Sequence, residues 1–95
     1  MKALPGHLKR YKTSPVFDQV SVPRALLDVH RLKEGTWGRI VVESGELEYE
    51  IIEGSRKWIL APNRFGVVEP QVPHRVRPVG AVRFWVEFFG VPGPE

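Results

Sequence analysis

Cysteine is absent from this 95-residue chain, and methionine occurs only at position 1. The first absence removes disulfides, thiolate metal ligands and a cysteine nucleophile at once. No apolar run approaches the roughly 20 residues that a membrane-crossing helix needs, so no membrane partner is expected. Residues 1–10 carry bases but no apolar block behind them, which argues against a secretion signal. A cytoplasmic protein is therefore expected. The net charge is +3, yet the bases are scattered from Lys9, Arg10 and Lys12 to Arg75, Arg77 and Arg83. No basic helix and no aromatic-basic ribonucleoprotein motif gathers them, so nucleic acid is not expected as a partner. A nucleophile-base arrangement is missing too: Ser14, Ser21, Ser44 and Ser55 all stand in turn-like sequence, and there is no glycine-rich phosphate loop. Capped segments of helical period are also lacking.

What is present reads as β-structure. Hydrophobic residues make up 42% and charged residues 26%, the balance of one ordinary globular domain. In residues 46–51, Leu47, Tyr49 and Ile51 alternate with Glu46, Glu48 and Glu50, a period of two that excludes a helix. Similar runs at 11–17, 26–32, 39–43, 57–60, 66–69, 74–77 and 81–89 bring the expected strands to eight. Gly/Pro/Ser turns separate them, including Ser44-Gly45, Gly54-Ser55 and Pro78-Val79-Gly80. Residues 39–43 and 46–52 are expected to form a hairpin about Ser44-Gly45. Short strands at this spacing predict an all-β sandwich or small barrel. A loose arm is expected over 1–10, the domain over 11–90 and a frayed tail over 91–95.

The most legible stretch is 66–78. An apolar strand leads into a turn bounded by Pro70 and Pro73, and a second strand opens on His74. Each proline fixes its own φ and pushes the residue before it toward extended backbone. The imidazole of His74 is thus aimed by a stiff connection.

Two stretches resemble the halves of a cupin, a double-stranded β-helix or jelly-roll barrel: Gly45-Glu46-Leu47 with its flanking strands, and residues 67–74. More narrowly, the chain resembles the TehB/YeaR-like family, a small cupin domain linked to tellurite resistance. The resemblance is carried by Tyr11-Lys12, Pro15-Val16 and His30, by Gly35-Thr36-Trp37-Gly38, and by residues 68–72 with His74-Arg75-Val76. The aromatic strand 84–89 completes it. It implies a single-domain cupin fold for residues 11–90, and some members carry a methyltransferase domain after it. The paired histidines and glutamate of the first cupin motif are missing here, where Glu34 and Gly38 fall instead. Glu69-Pro70-Gln71 likewise replaces the usual proline-glycine of the second motif. Standard cupin oxygenase or isomerase chemistry is therefore not carried over.

Inward residues of different strands converge in a small barrel, so His30 and His74 are expected to meet. Two imidazoles and one carboxylate would make a three-ligand site for one divalent metal per chain, with zinc the first expectation and iron or nickel the alternatives. Glu87 is the preferred carboxylate, because a glutamate in so apolar a strand needs a partner if buried; Glu69 is the alternative. The facing is open at this level: Val82, Phe84, Val86 and Phe88 form one row, Arg83, Trp85, Glu87 and Phe89 the other. The plainer reading keeps His30 as a hydrogen-bonded histidine near Asp28 and His74 as a turn histidine without a ligand. Trp37, Arg77 and Trp85 are candidates for ligand contact, with Arg75, Arg77 and Arg83 alternatively pairing with Glu46, Glu48 and Glu50. The expected function is a metal-binding module for a small molecule or oxyanion. A metal-dependent enzyme and a metal-free binding or dimerisation barrel are the alternatives. A homodimer is expected from the apolar row 84, 86 and 88.

Overall fold

The structure is a computed structural model and describes residues 1–92. Its elements in chain order are β1 (Lys9–Thr13), β2 (Phe17–Asp18), a helical turn α1 (Arg24–Leu27), β3 (Trp37–Ile51), a 3-10 turn at Glu53–Ser55, β4 (Arg56–Leu60), β5 (Gly66–Val68) and β6 (His74–Gly90). All strand pairings between these elements are antiparallel, in one six-stranded sheet of order β1-β6-β3-β4. Off that path, β2 pairs with β6 and β5 with β3. The domain is all-β as expected, but the sheet is not closed into a barrel. No helix among the described residues is long and apolar enough to cross a membrane.

Two of the expected turns are not turns. Ser44-Gly45 lies inside the 15 residues of β3, and Pro78-Val79-Gly80 inside the 17 residues of β6. The two sites face each other. Gly45 stands opposite Val82 while Glu46 stands opposite Val79, so Gly80 and Ala81 are accommodated as an irregularity in the ladder. Gly45 and Gly80 both take positive φ, 80° and 74°, which glycine adopts without steric cost. A Cβ on Gly45 would collide with the Ala81 carbonyl oxygen. The expected hairpin is thus a crease: β3 and β6 bend together and fold one sheet over on itself. Ahead of the crease, β3 is flanked by β5; beyond it, by β4.

The turn at Gly54-Ser55 is where the sequence puts it, with positive φ at both residues. Alternation over 46–51 also holds: Leu47, Tyr49 and Ile51 are all buried. They join Ile40, Val42, Leu60, Val68, Val76, Val82, Phe84 and Val86 in one core. The expected strand at 26–32 is replaced. Pro23, extended at φ −61° and ψ 141°, precedes a single helical turn closed by the Asp28 amide donating to the Arg24 carbonyl at 3.0 Å. Of that segment only His30 and Leu32 make isolated bridges, to His74 and Pro70. The expected tail falls largely on residues outside those described.

Candidate functional site

The link between β5 and β6 holds the shape read from its prolines. Gln71 takes φ 62° between them, its amide donates to the Leu32 carbonyl at 2.9 Å, and β6 begins at His74. His30 and His74 then exchange both backbone hydrogen bonds, each 2.9 Å. In that narrow pairing the side chains emerge on one side, and the ring centroids stand 4.1 Å apart at 59°. Two residues 44 positions apart thus meet, as the sequence reading expected.

Both rings are oriented alike. His74 Nδ1 lies 2.8 Å from the Val72 carbonyl oxygen, and His30 Nδ1 lies 3.0 Å from that of Asp28. A carbonyl only accepts, so Nδ1 carries the proton in each ring, and a neutral ring keeps Nε2 as a bare acceptor. His30 is therefore held by the backbone of Asp28 rather than its carboxylate. His74 is 2% exposed, and burial lowers its pKa to about 4. The bond to Val72 works against that shift, and nearby His30 adds to it. At neutral pH, His74 is uncharged.

The pair lines a cavity of about 260 Å³. Its wall is otherwise mostly apolar, including Phe17, Leu26, Ile40, Val76, Phe84 and Phe88, with Lys12 and Ser14 also in the lining. Val82, Phe84 and Val86 are buried in the core, so the inward row of β6 is settled. Of the apolar row invoked for a homodimer, Phe84 and Val86 lie in the core and Phe88 packs partly buried against it.

Glu87 points the other way. On the opposite face of β6 it pairs in register with Arg39 of β3. Its Oε1 accepts from Arg39 Nε at 2.8 Å, and its Oε2 from Trp85 Nε1 at 3.1 Å and Arg10 Nη1 at 3.3 Å. Burial pushes the carboxyl pKa up, but the bonds from Trp85 and Arg39 and the charges of Arg39 and Arg10 outweigh it, leaving it lowered. The reasoning that a buried Glu87 needs partners was sound; they are guanidinium and indole groups, not a metal. Arg39 also lies over the rings of Phe65 and Phe89, at 5.5 and 5.1 Å from their centroids.

The remaining candidates are dispersed. Glu69 pairs with Lys2 at 3.4 Å. Arg77 bonds Glu48 at 2.8 Å, beside Arg75–Glu50 and Arg83–Glu43 at 2.7 Å each, so these arginines form cross-strand ion pairs. Trp37, half-buried at the start of β3, and Trp85, bonded to Glu87, lie away from the cavity lining. A second, shallower hollow, lined by residues of the N-terminal segment with Arg39, Arg64 and Phe65, was not foreseen. Its signal would have been Arg39, which carried no distinguishing mark within its strand.

Comparison with known proteins revises the function. A family profile described as the TehB-like domain matches residues 12–86. Two curated proteins, both named probable S-adenosyl-L-methionine-dependent methyltransferase TehB and both from Haemophilus influenzae strains, are 37% and 35% identical over 71 residues. Each match covers 70% of this chain but 25% of the relative, so the chain spans about a quarter of their length. The crystal structure of TehB from Haemophilus influenzae superposes with a TM-score of 0.82 at 29% identity, over 90% of this chain and 32% of that one. A structural-genomics crystal structure of an Escherichia coli K12 protein superposes at 0.87 over 98% of this chain and all of that one, with 18% identity; it supports the fold alone.

The expectation of a metal-binding cupin module for a small molecule or oxyanion is thereby overturned. The relatives are named for S-adenosylmethionine-dependent methyl transfer, and the expected zinc, iron or nickel falls with it. Among the described residues no three His, Asp or Glu side chains are placed to hold a metal ion, because Glu87 and Glu69 are committed elsewhere. The chain belongs to the TehB-like domain family.

Proposed function

We propose that this chain is the β-module that works beside an S-adenosylmethionine-dependent methyltransferase unit, on the same polypeptide or a separate one. The match to a quarter of proteins named as such methyltransferases carries this reading. S-adenosylmethionine itself does not fit the residues present. Its sulfonium and ribose call for carboxylates and polar groups, whereas among the described residues neither the cavity nor the second hollow is lined by an aspartate or glutamate. The second hollow carries Lys2, Arg39 and Arg64 instead, the wrong sign for a sulfonium cation. Methyl transfer is therefore assigned to the companion unit, and this module to the handling of what that unit acts on. We further read the folded-over sheet as a jelly roll of the cupin kind, opened along the edges of β1 and β4.

Two measurements test the proposal. Calorimetry of the purified chain with S-adenosylmethionine is expected to show no saturable heat, and tight binding would contradict the division of labour. Tagged protein recovered from its own cells should retain S-adenosylmethionine-dependent methyl transfer above an untagged control; a recovered fraction without it would contradict the association.

A further inference from the structure

The cavity behind the histidine pair has more specific chemistry than an apolar hole. Four of its lining side chains are polar: Lys12, Ser14, His30 and His74. Ser14 is spent, its Oγ donating to the Pro15 carbonyl at 2.8 Å and accepting from the Val86 amide at 2.9 Å. The Lys12 ammonium lies 5.8 Å from the centre of the Phe88 ring, on an exposed strand. The two Nδ1 atoms are spent on backbone carbonyls. What remains unspent among the described residues is the Nε2 of each imidazole, an acceptor when the ring is neutral.

We infer that the cavity binds a neutral, largely apolar organic molecule that donates one O–H or N–H hydrogen bond to Nε2 of His74 or His30. Size follows from volume. A 150 Å³ apolar cavity takes benzene, so about 260 Å³ suits a molecule of roughly ten non-hydrogen atoms by the same scaling. Charge follows from the lining. Among the described lining residues a carboxylate or phosphate would meet two acceptors and no buried cation, and a cation would find no carboxylate. The preference for a donor follows from the asymmetry of hydrogen bonding: an apolar guest strips water from Nε2 and gives nothing back. Sites built to bond a hydroxyl reject the analogue that lacks it for this reason. The inference does not depend on the methyltransferase reading, and the molecule held here is also the natural candidate for what a companion unit would receive.

The test uses two probes of matched size, 2-naphthol and 2-methylnaphthalene, with the purified full chain. Expected is at least tenfold tighter binding of 2-naphthol, and a shift of the His30 or His74 Nε2 nitrogen resonance with 2-naphthol alone. Equal affinity for the two probes would overturn the inference, as would no binding of either up to its solubility limit. The His30→Phe variant keeps a ring at a half-buried position and is expected to reduce the 2-naphthol preference. Preference retained in full, with neither Nε2 resonance moving in the wild type, would overturn the role of the imidazoles. Because the wild-type comparison needs no substitution, the inference is exposed to failure even where a variant does not fold.

Discussion

The two faces of β6 carry two buried polar clusters with opposite logic. On one, Glu87 is met by Arg39, Arg10 and Trp85, so charge and hydrogen-bonding capacity close on themselves. On the other, His74 and His30 line a cavity, and each satisfies one ring nitrogen with a backbone carbonyl. The first arrangement is complete without a guest and reads as architecture. The second keeps one ring nitrogen of each histidine for a donor from outside the fold. Burial of a polar group does not by itself mark a functional site; what distinguishes the two is whether its bonding capacity is used up within the fold.

Three experiments bear on that contrast, from the largest expected effect to the smallest. Acidification should strike the histidine side first. His74 has its pKa lowered to about 4 in the folded chain, against about 6.5 when unfolded. The unfolded chain therefore binds the extra proton between these values, and stability is fully present above pH 6.5 and lost as pH falls toward 4. The loss in unfolding free energy, read from urea denaturation, should approach about 3 kcal/mol. The His74→Gln variant should flatten the curve between pH 6.5 and 4.5, above the range in which Glu87 and Glu50 protonate. The carboxylate side breaks by mutation instead. Arg39→Ala leaves Glu87 buried with two weaker partners and should cost about 2 kcal/mol in chemical denaturation, less than a fully buried pair because Arg39 is partly wet. The double change Arg39→Leu with Glu87→Met should recover much of that. The smallest effect belongs to the exposed Arg83–Glu43 pair, with side chains 55% and 50% exposed. Arg83→Ala should shift stability by no more than about 0.5 kcal/mol, and high salt should erase the difference.

The contrast also explains what could be read from the chain beforehand. Alternation over 46–51 was legible because period two is a property of neighbours. The aiming of His74 was legible because Pro70 and Pro73 restrict the backbone locally. Gly45 and Gly80 were recognisable as positions of unusual backbone, but positive φ serves a reversal and a crease equally. Which of these forms depends on the strand opposite, dozens of residues away. The same limit hid the partner of Glu87: Arg39 faces it only through the β3–β6 register. The helical turn at Arg24–Leu27 escaped because four residues are too few to show a period. As for function, the His30–His74 encounter was foreseen but its chemistry was not. A third ligand depended on which row of β6 faced inward, and that is decided by packing.

The account rests most heavily on a neutral His74 ring in the cavity wall, with its proton on Nδ1 and a bare Nε2. Long-range proton–nitrogen correlation spectra of ¹⁵N-histidine protein, followed from neutral pH downward, test this most directly. The account predicts a protonated Nδ1, an unprotonated Nε2 and no titration until about pH 4. A His74 ring protonated on Nε2, or one titrating near pH 6.5 as an exposed histidine does, would contradict it.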